Sequence, residues 1–339
     1  MNDIQSRTWR HVMLALAQVE SVPDCVLDRV GRVVRGLNAE LVLFYSLYDP
    51  QLAGHMRSGV TGDARIANRI AESRRHLERV ADALRDQGLE VRSSVRFDYP
   101  IFEAIVREVL RRGPNLLIVP AARMSPSAPQ GLSHNDARLL EACPCPVLLL
   151  KTEKVYSNGP IVAAVDPKHA REKPSELDDM IVAAAKTLSR ALSDASVHVY
   201  HAVAPVHQGS GSLTAETGEV RDALQRKEHF EECESEVRAI AARYEIPDTL
   251  VRVEGGPVES ALPLYAREVR ADAVVMGAVS RSYPERALYG YTAERVLDAL
   301  GCDLLIIKPR GFRCPVSRRP HRAGRRQATA EPAHATHES

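Results

Sequence analysis

Two cysteines separated by one proline, Cys143-Pro144-Cys145, form a compact pair of reactive side chains. Closely spaced thiolates are typical of zinc sites, but paired zinc ligands are usually about two to four residues apart and need a second pair. The sequence offers no second pair of that kind. Six cysteines, at positions 25, 143, 145, 233, 302 and 314, are also too sparse for a disulfide framework. We therefore expect free thiols and no metal site.

Hydroxyl, imidazole and carboxylate groups follow one another in Ser133-His134-Asn135-Asp136. A catalytic triad is assembled from separate segments, so adjacency along the chain does not orient one. His198 and His201 lie three apart on a predicted strand and should face opposite sides of it, which disfavours a shared metal.

Known sequence motifs of enzymes that act on nucleotides are also missing. The sequence lacks the Ser-Gly-Gly-x-Asp loop of pyrophosphatases, the His-x-Gly-His element of nucleotidyl transferases and the P-loop. We expect no catalytic residues and interpret the chain as a binding protein rather than an enzyme, although fold alone would not exclude catalysis.

A long internal repeat determines how the chain is organised. Residues 99–151 and 256–308 align without a gap at a constant offset of 157 (256 − 99). Identical residues that coincide under this shift include Pro100 and Pro257, Ala104 and Ala261, Cys145 and Cys302, and Lys151 and Lys308. Solenoid repeats are about 20 to 50 residues long, so a repeat of this length is a domain. The 339 residues therefore contain two copies of one fold.

Each copy alternates short β-branched runs with amphipathic stretches, a pattern typical of βαβ units in a parallel sheet covered by helices. The predicted strands are Val12–Leu16, Leu41–Tyr45, Val91–Val95, Leu116–Val119 and Val147–Leu150, then Ile161–Val165, Val197–His201, Leu250–Val253, Ala273–Met276 and Leu304–Ile307. The predicted helices include Asp63–Gln87, Ile101–Arg112, Glu176–Ser193, Val220–Tyr244, Val258–Val269 and Thr292–Leu300. Gly88 and Gly113 stand where helix C-caps are expected.

Composition predicts the domain limits. Residues 1–152 form the first domain and residues 153–310 the second, joined by a short polar connector near Asn158-Gly159-Pro160. Residues 311–339 contain almost no large apolar side chains and are predicted to be a disordered basic tail. The eight basic residues 308, 310, 313, 318, 319, 322, 325 and 326 fall in a stretch without an acid. A solvated terminus is the favoured interpretation, and an electrostatic contact with nucleic acid is the alternative.

The overall composition is that of an ordinary globular protein, with 45% hydrophobic residues, 26% charged residues and a formal net charge of +1. Such a balance gives no global field that would favour nucleic acid as the main partner. No run of about 18 apolar residues, as a membrane span requires, is present. The apolar stretch 12–17 is too short for a secretory signal. We expect a cytoplasmic protein without a membrane span.

Several segments of the second half together resemble the universal stress protein family in a tandem, two-domain arrangement. The segments are Ile161–Asp166, His201–Val203, Val274–Gly277, Gly290–Val296 and Cys302–Pro309. The resemblance covers roughly residues 8–310 and implies a five-stranded parallel sheet flanked by helices in each domain. It also implies that the final strands of the two domains associate into an internal pseudo-dimer, with a further homodimer left open. A role in tolerating stress, such as DNA damage or oxidants, is implied as well.

Nucleotide-binding members of that family carry Gly-x-x-Gly, nine residues, then Gly and Ser or Thr after the fourth strand. Glycines let backbone N–H groups approach phosphate oxygens, and the helix N-terminus adds donors. In this chain Gly277 is followed by Ser280 in place of the second glycine, and Gly290 by Tyr291 in place of the hydroxyl. Thr292 supplies a hydroxyl one residue further on. The resemblance thus implies a degenerate pocket for ATP or another adenine nucleotide in the second domain.

Three more positions carry over from the resemblance. Asp166 corresponds to the carboxylate that meets adenine or ribose, and Ala202 and Met276 correspond to groups that line the base. Asp166 is equally well interpreted as a turn or cap residue, and Met276 as ordinary core. In the first half, Ala17 and Pro120 occupy the positions of the aspartate and the first glycine. A proline has no N–H to donate, so this half is not expected to bind a nucleotide triphosphate in the family's manner.

Three functions are therefore weighed. The favoured one is a non-catalytic, stress-response protein that binds a small molecule in the second domain. One alternative is an interaction scaffold in which Ser280 and Tyr291 close the pocket. The other is a slow enzyme that hydrolyses or transfers nucleotides in the same pocket.

Overall fold

The computed structural model describes residues 9–48, 63–121, 133–167, 176–204, 215–277, 295–296 and 298–318. Over these residues the strands are β1 His11–Leu16, β2 Glu40–Leu47, β3 Val91–Phe97, β4 Leu116–Pro120, β5 Val147–Leu150, β6 Ile161–Ala164, β7 Val197–Val203, β8 Val251–Gly255, β9 Ala273–Gly277 and β10 Asp303–Ile307. The helices are α1 Asp24–Leu37, α2 Asp63–Arg85, α3 Ile101–Arg112, α4 His134–Ala142, α5 Glu176–Ala191, α6 Ala215–Arg243 and α7 Val258–Glu268. Within this part of the chain, no helix combines the length and the apolar character that crossing a membrane requires.

All ten strands join one sheet in the order β3-β2-β1-β4-β5-β10-β9-β6-β7-β8. Neighbouring strands are parallel within each half. At the centre β5 and β10 run antiparallel, with Leu148 opposite Leu305. The predicted α/β fold, with five parallel strands in each half and the two final strands associated, is confirmed.

A buried apolar core covers each face of the sheet, and both cores continue from one half into the other. Helices α1, α2, α5 and α6 pack on what we call the first face, and α3, α4 and α7 on the second face. Successive strand residues alternate between the faces, as Leu14 and Ala15 do in β1. Burial on both sides explains why the central strands are continuous apolar runs rather than alternating patterns.

The structure contains two helices that are absent from the predicted set, α1 and α4. Helix α4 begins in the sequence that offers a hydroxyl, an imidazole and a carboxylate. Ser133 Oγ accepts a hydrogen bond from the Asp136 N–H at 3.1 Å, and the Asp136 carboxylate accepts one from the Ser133 N–H at 3.3 Å. This reciprocal arrangement is a capping box, which satisfies two of the free donors at a helix start. These side chains therefore have a structural role and do not form a triad.

The lysines repeated at the ends of β5 and β10 make reciprocal contacts across the centre of the sheet. Lys151 donates from Nζ to the carbonyl oxygen of Leu300 at 2.7 Å, and Lys308 donates to that of Glu141 at 3.1 Å. Glu141 is in the last turn of α4, and Leu300 follows the helical residues 298–299. Each lysine therefore caps a helix C-terminus of the other half, where the helix dipole favours a cation.

Part of the segment predicted to be a disordered tail packs on the domain. The Phe312 ring centroid lies 4.7 Å from Lys308 Nζ, and Cys314 and Val316 contact the second-face core. Residues 311–318 therefore have defined contacts, in contrast to the expectation from composition. Residues 319–339 lie outside the described residues, and their disorder stays a prediction.

The buried Cys302 thiol makes the stability of the fold sensitive to alkaline pH. Burial raises its pKa from 9.0 to about 12, with the Asp303 charge adding to the effect. Above pH 9 the unfolded chain releases this proton while the folded chain keeps it, so the free energy of unfolding falls as pH rises. In Cys302→Ala that decline should be shallower by up to about 1.4 kcal/mol per pH unit.

Urea denaturation of the wild type and of Cys302→Ala from pH 8 to 10.5 measures the difference. The cavity left by the missing sulfur lowers the free energy of unfolding by the same amount at every pH. A difference in slope between the two proteins therefore reports only the titration of Cys302. Parallel curves for the two proteins would contradict the prediction.

Candidate functional site

Four of the predicted site residues fall in the described part of the chain, and all four lie at the carboxyl ends of neighbouring strands. Asp166 follows β6 by two residues, Ala202 is near the end of β7, and Met276 and Gly277 close β9. In the sheet register Ala164 of β6 is opposite Met276. The other predicted positions, Ser280, Gly290, Tyr291 and Thr292, lie outside the described residues.

The second-face side of these strand ends is lined by small and adaptable side chains. Ala164, Ala202 and Met276 are half-buried and pack against the second-face core. Alanine side chains are small, and an unbranched thioether adapts to an irregular partner. Such a floor suits a flat apolar group, as ligand pockets are mostly apolar with a few placed polar groups.

The main chain next to Asp166 is held by hydrogen bonds from two directions. The Asp166 N–H donates to Asp178 Oδ1 at 3.0 Å, and Asp178, in the first turn of α5, is 4% exposed. His201 Nδ1 lies 2.9 Å from the carbonyl oxygen of Val165. Because a carbonyl only accepts, that imidazole nitrogen carries the proton. The half-buried Asp166 thus stands on a fixed turn, and contact of its carboxylate with a ligand stays a prediction.

The sequence does not indicate that Asp178 and His201 position the turn after β6. Asp178 belongs to an acidic helix start with Glu176 and Asp179, a pattern that ordinarily indicates only a favourable interaction with the helix dipole. The sequence indicates His201 only as a candidate metal ligand and as part of the segment His201–Val203 that carries the family resemblance. No spacing rule links either residue to the turn after β6, because the contacts depend on how α5 and β7 pack beside that strand.

Gly277 has a packing reason to lack a side chain. A Cβ at this position would lie 2.7 Å from Leu177 Cδ2 and 3.2 Å from Ile181 Cδ1, both on α5. The glycine therefore lets α5 approach the end of β9 closely. An approach of its N–H group to phosphate stays a prediction.

The first half offers different groups at the equivalent positions. Pro120 closes β4 just as Gly277 closes β9, and Ala17 follows β1 as an exposed residue. Neither residue provides a carboxylate, and the proline provides no N–H. The loop 122–132 lies outside the described residues, so the ligand properties of this half stay a prediction.

The compact cysteine pair and the two histidines of β7 have structural partners. Cys143 and Cys145 are buried with their Sγ atoms 3.6 Å apart, and this hydrogen bond together with burial raises the pKa of Cys145 well above its ordinary value. His198 Nδ1 lies 2.8 Å from the Tyr265 hydroxyl on α7, and burial lowers the pKa of this histidine. Over the described residues, no group of three or more His, Cys, Asp or Glu side chains is placed to hold a metal.

The continuous sheet and the helices on both of its faces define a tandem α/β protein with a nucleotide-binding-like fold. Residues 158–308 match the model of the universal stress protein family. The second half is thus a universal stress protein domain, and the predicted resemblance is confirmed.

Relatives extend this similarity to nearly the whole chain. Universal stress protein E of Escherichia coli K12 is 26% identical over 309 residues, which cover 90% of this chain and 96% of the relative. A crystal structure of a putative universal stress protein from Pseudomonas aeruginosa UCBPP-PA14 is 26% identical, with a TM-score of 0.64, and covers 91% of this chain and 95% of that one. A functionally unknown protein from P. aeruginosa PAO1 shares the fold at 24% identity, with a TM-score of 0.66 and the same coverages. The chain therefore resembles universal stress protein E over nearly its whole length, in the tandem arrangement that its sequence predicts.

Proposed function

We propose that this protein is a non-catalytic, ligand-binding regulator of stress tolerance that acts in the cytoplasm and binds an adenine nucleotide in its second half. The observation that supports the site best is the convergence of Asp166, Ala202 and Met276 at adjoining strand ends. Open α/β sheets bind ligands in this position. The ligand class follows from the family resemblance of the loop after β9.

The geometry of the described half of the site suits the base end of a nucleotide. A flat ring has an apolar floor at Ala164, Ala202 and Met276, and Asp166 follows Ala164 by two residues at the same end of the sheet. The His201 and Asp178 hydrogen bonds hold the turn before ligand arrives, which reduces the entropy cost of binding. The phosphate end depends on Ser280 and Tyr291, which replace a glycine and a small hydroxyl.

Thermal unfolding in the presence of ATP tests the proposal. ATP at about 100 times its Kd stabilises a folded protein by about 2.7 kcal/mol, so the Tm should rise with ATP concentration. Asp166→Asn should weaken this response, whereas Asp248→Asn, an exposed aspartate of the same half, should leave it unchanged. A rise in Tm without release of ADP or phosphate supports the binder. An unchanged Tm in a folded protein favours the scaffold, and product above a buffer control favours the enzyme.

Restoring the family pattern should strengthen binding. In the variant with Ser280→Gly and Tyr291→Ser, the backbone regains freedom at one position and the aromatic ring no longer competes for phosphate space. Isothermal titration calorimetry with ATP should therefore give a lower Kd than for the wild type. Equal affinity in a folded double variant would contradict this explanation of the degenerate motif.

A further inference from the structure

A cavity of about 550 Å³ lies where the two halves meet, and we call it the junction cavity. Its wall combines Trp9 and Pro144 of the first half with α5 and the residues after β10 of the second. Ligand pockets typically have volumes of about 300–1,000 Å³. Asp166, Ala202, Met276 and Gly277, the predicted nucleotide positions that the structure describes, do not line it, so the junction cavity is separate from the ends of β6, β7 and β9.

Basic side chains dominate the polar part of the wall, which includes Lys186, Arg190, Arg243, Lys308 and Arg310. Two of the five are matched by carboxylates, Arg243 by Asp179 at 2.8 Å and Arg310 by Glu176 at 3.2 Å.

The remaining cations have no carboxylate partner within the described residues. Lys186 donates to the carbonyl oxygen of Tyr244 at 2.5 Å, and Lys308 to that of Glu141 at 3.1 Å. Arg190 is exposed and forms no ion pair in the described part of the chain. Glu245 is the single carboxylate among the described residues of the wall, so the local balance favours an anion.

Lys308 is the most deeply buried of these cations. The residue is 5% exposed, and burial lowers its pKa to about 8. Its Nζ donates to a carbonyl oxygen and lies 4.7 Å from the centroid of the Phe312 ring, and the nearby Glu141 charge offsets the effect of burial only in part. An anion in the cavity would supply the opposite charge that a buried ammonium favours.

The rest of the wall is apolar and includes Trp9, Pro146, Met180 and Phe312. An apolar wall beside basic groups suits a molecule that has a ring or another apolar part together with a charged group. We propose that the junction cavity is a second ligand site, for a small organic phosphate whose apolar part contacts Trp9 and Phe312 and whose phosphate contacts Lys186, Arg190 and Lys308.

The chain provides its own reporter for this site, because Trp9 is its only tryptophan. Titration of the full chain with phenyl phosphate should change the Trp9 fluorescence in a saturable manner. Phenol, which lacks the anion, and inorganic phosphate, which lacks the ring, should each bind more weakly. Equal affinity for inorganic phosphate and phenyl phosphate would overturn the proposed ligand class.

Paired variants separate a local effect from a general effect of charge. Lys186→Met with Arg190→Gln should weaken phenyl phosphate binding by about tenfold or more, since charge-assisted hydrogen bonds are lost. Lys227→Met with Arg238→Gln removes the same charge from exposed positions of α6 outside the cavity and should leave the Kd unchanged. Arg190→Gln alone changes an exposed residue and serves as the test if the first pair does not fold. Absence of saturation in the wild type, or an equal loss in both pairs, would overturn the proposal.

Discussion

Replacing Asp303 with asparagine should lower the free energy of unfolding by about 3–5 kcal/mol, because it removes the carboxylate charge that the buried Arg29 guanidinium contacts. The Arg29 guanidinium contacts both Asp303 carboxylate oxygens, at 2.8 and 2.9 Å, and both side chains are 1% exposed. The same carboxylate accepts from the Tyr156 hydroxyl and from the Lys151 N–H, each at 2.8 Å. An asparagine carbonyl can still accept from the last two donors. It cannot neutralise Arg29, and its amide N–H groups add donors to a site that needs acceptors.

The same network predicts how compensating changes behave. Burial raises the pKa of Asp303 although Arg29 opposes this, so the ion pair repays its desolvation cost only in part. Removing both charges, with Arg29→Met and Asp303→Asn together, should therefore recover part of the stability lost in Asp303→Asn alone. Urea denaturation of the single and double variants measures this coupling. A double variant less stable than the sum of its single changes would contradict the explanation.

This network also joins the two halves of the molecule. Arg29 belongs to α1 of the first half, and Asp303 begins β10 of the second half. Lys151 and Tyr156 belong to the segment that connects β5 of the first half to β6 of the second. Under the offset of 157, the counterpart of Asp303 is Pro146, which cannot form an equivalent network. The repeat therefore conserves the strands that associate and differs at the residue that fixes their association.

The sequence predicts the fold well because the strands are buried on both faces. A run such as Leu116–Val119 has few other structures available to it, and all ten predicted strands are present. Helix α1 is absent from the predicted set and starts after Pro23 without a side-chain cap. Helix α4 does have a cap, but its Ser133 and Asp136 were considered as catalytic groups. Helix α1 was missed because no capping side chain marks its start, and helix α4 because its polar residues allow more than one interpretation.

The candidate site was predictable only in part. Strand ends could be located from the apolar runs, and with them Asp166, Ala202 and Met276. The hydrogen bonds of Asp178 and His201 join segments that are distant along the chain, so no local pattern indicates them. The junction cavity was not predicted at all, because its wall forms only when the two halves pack together.

Gly36→Ala provides the sharpest contrast between local propensity and packing. In the interior of a helix, glycine to alanine normally stabilises by up to about 1 kcal/mol. At this position in α1, a Cβ would lie 2.0 Å from the carbonyl oxygen of Ala191, the last residue of α5. A backbone atom cannot rotate away, so the two helices must separate at the contact between the halves. We expect a loss of about 1–3 kcal/mol, the usual cost of overpacking.

Gly31→Ala is the matched control on the same helix. The three atoms nearest to a Cβ at position 31 would be the flexible ends of Gln87 and Arg35, at 3.2 and 3.4 Å. This variant should therefore be as stable as the wild type or slightly more stable, as helix propensity predicts. Urea denaturation of the two variants compares the same chemical change at two positions of one helix. If Gly36→Ala were as stable as Gly31→Ala, the close approach of α1 to α5 would not hold the halves together in the way that the structure indicates.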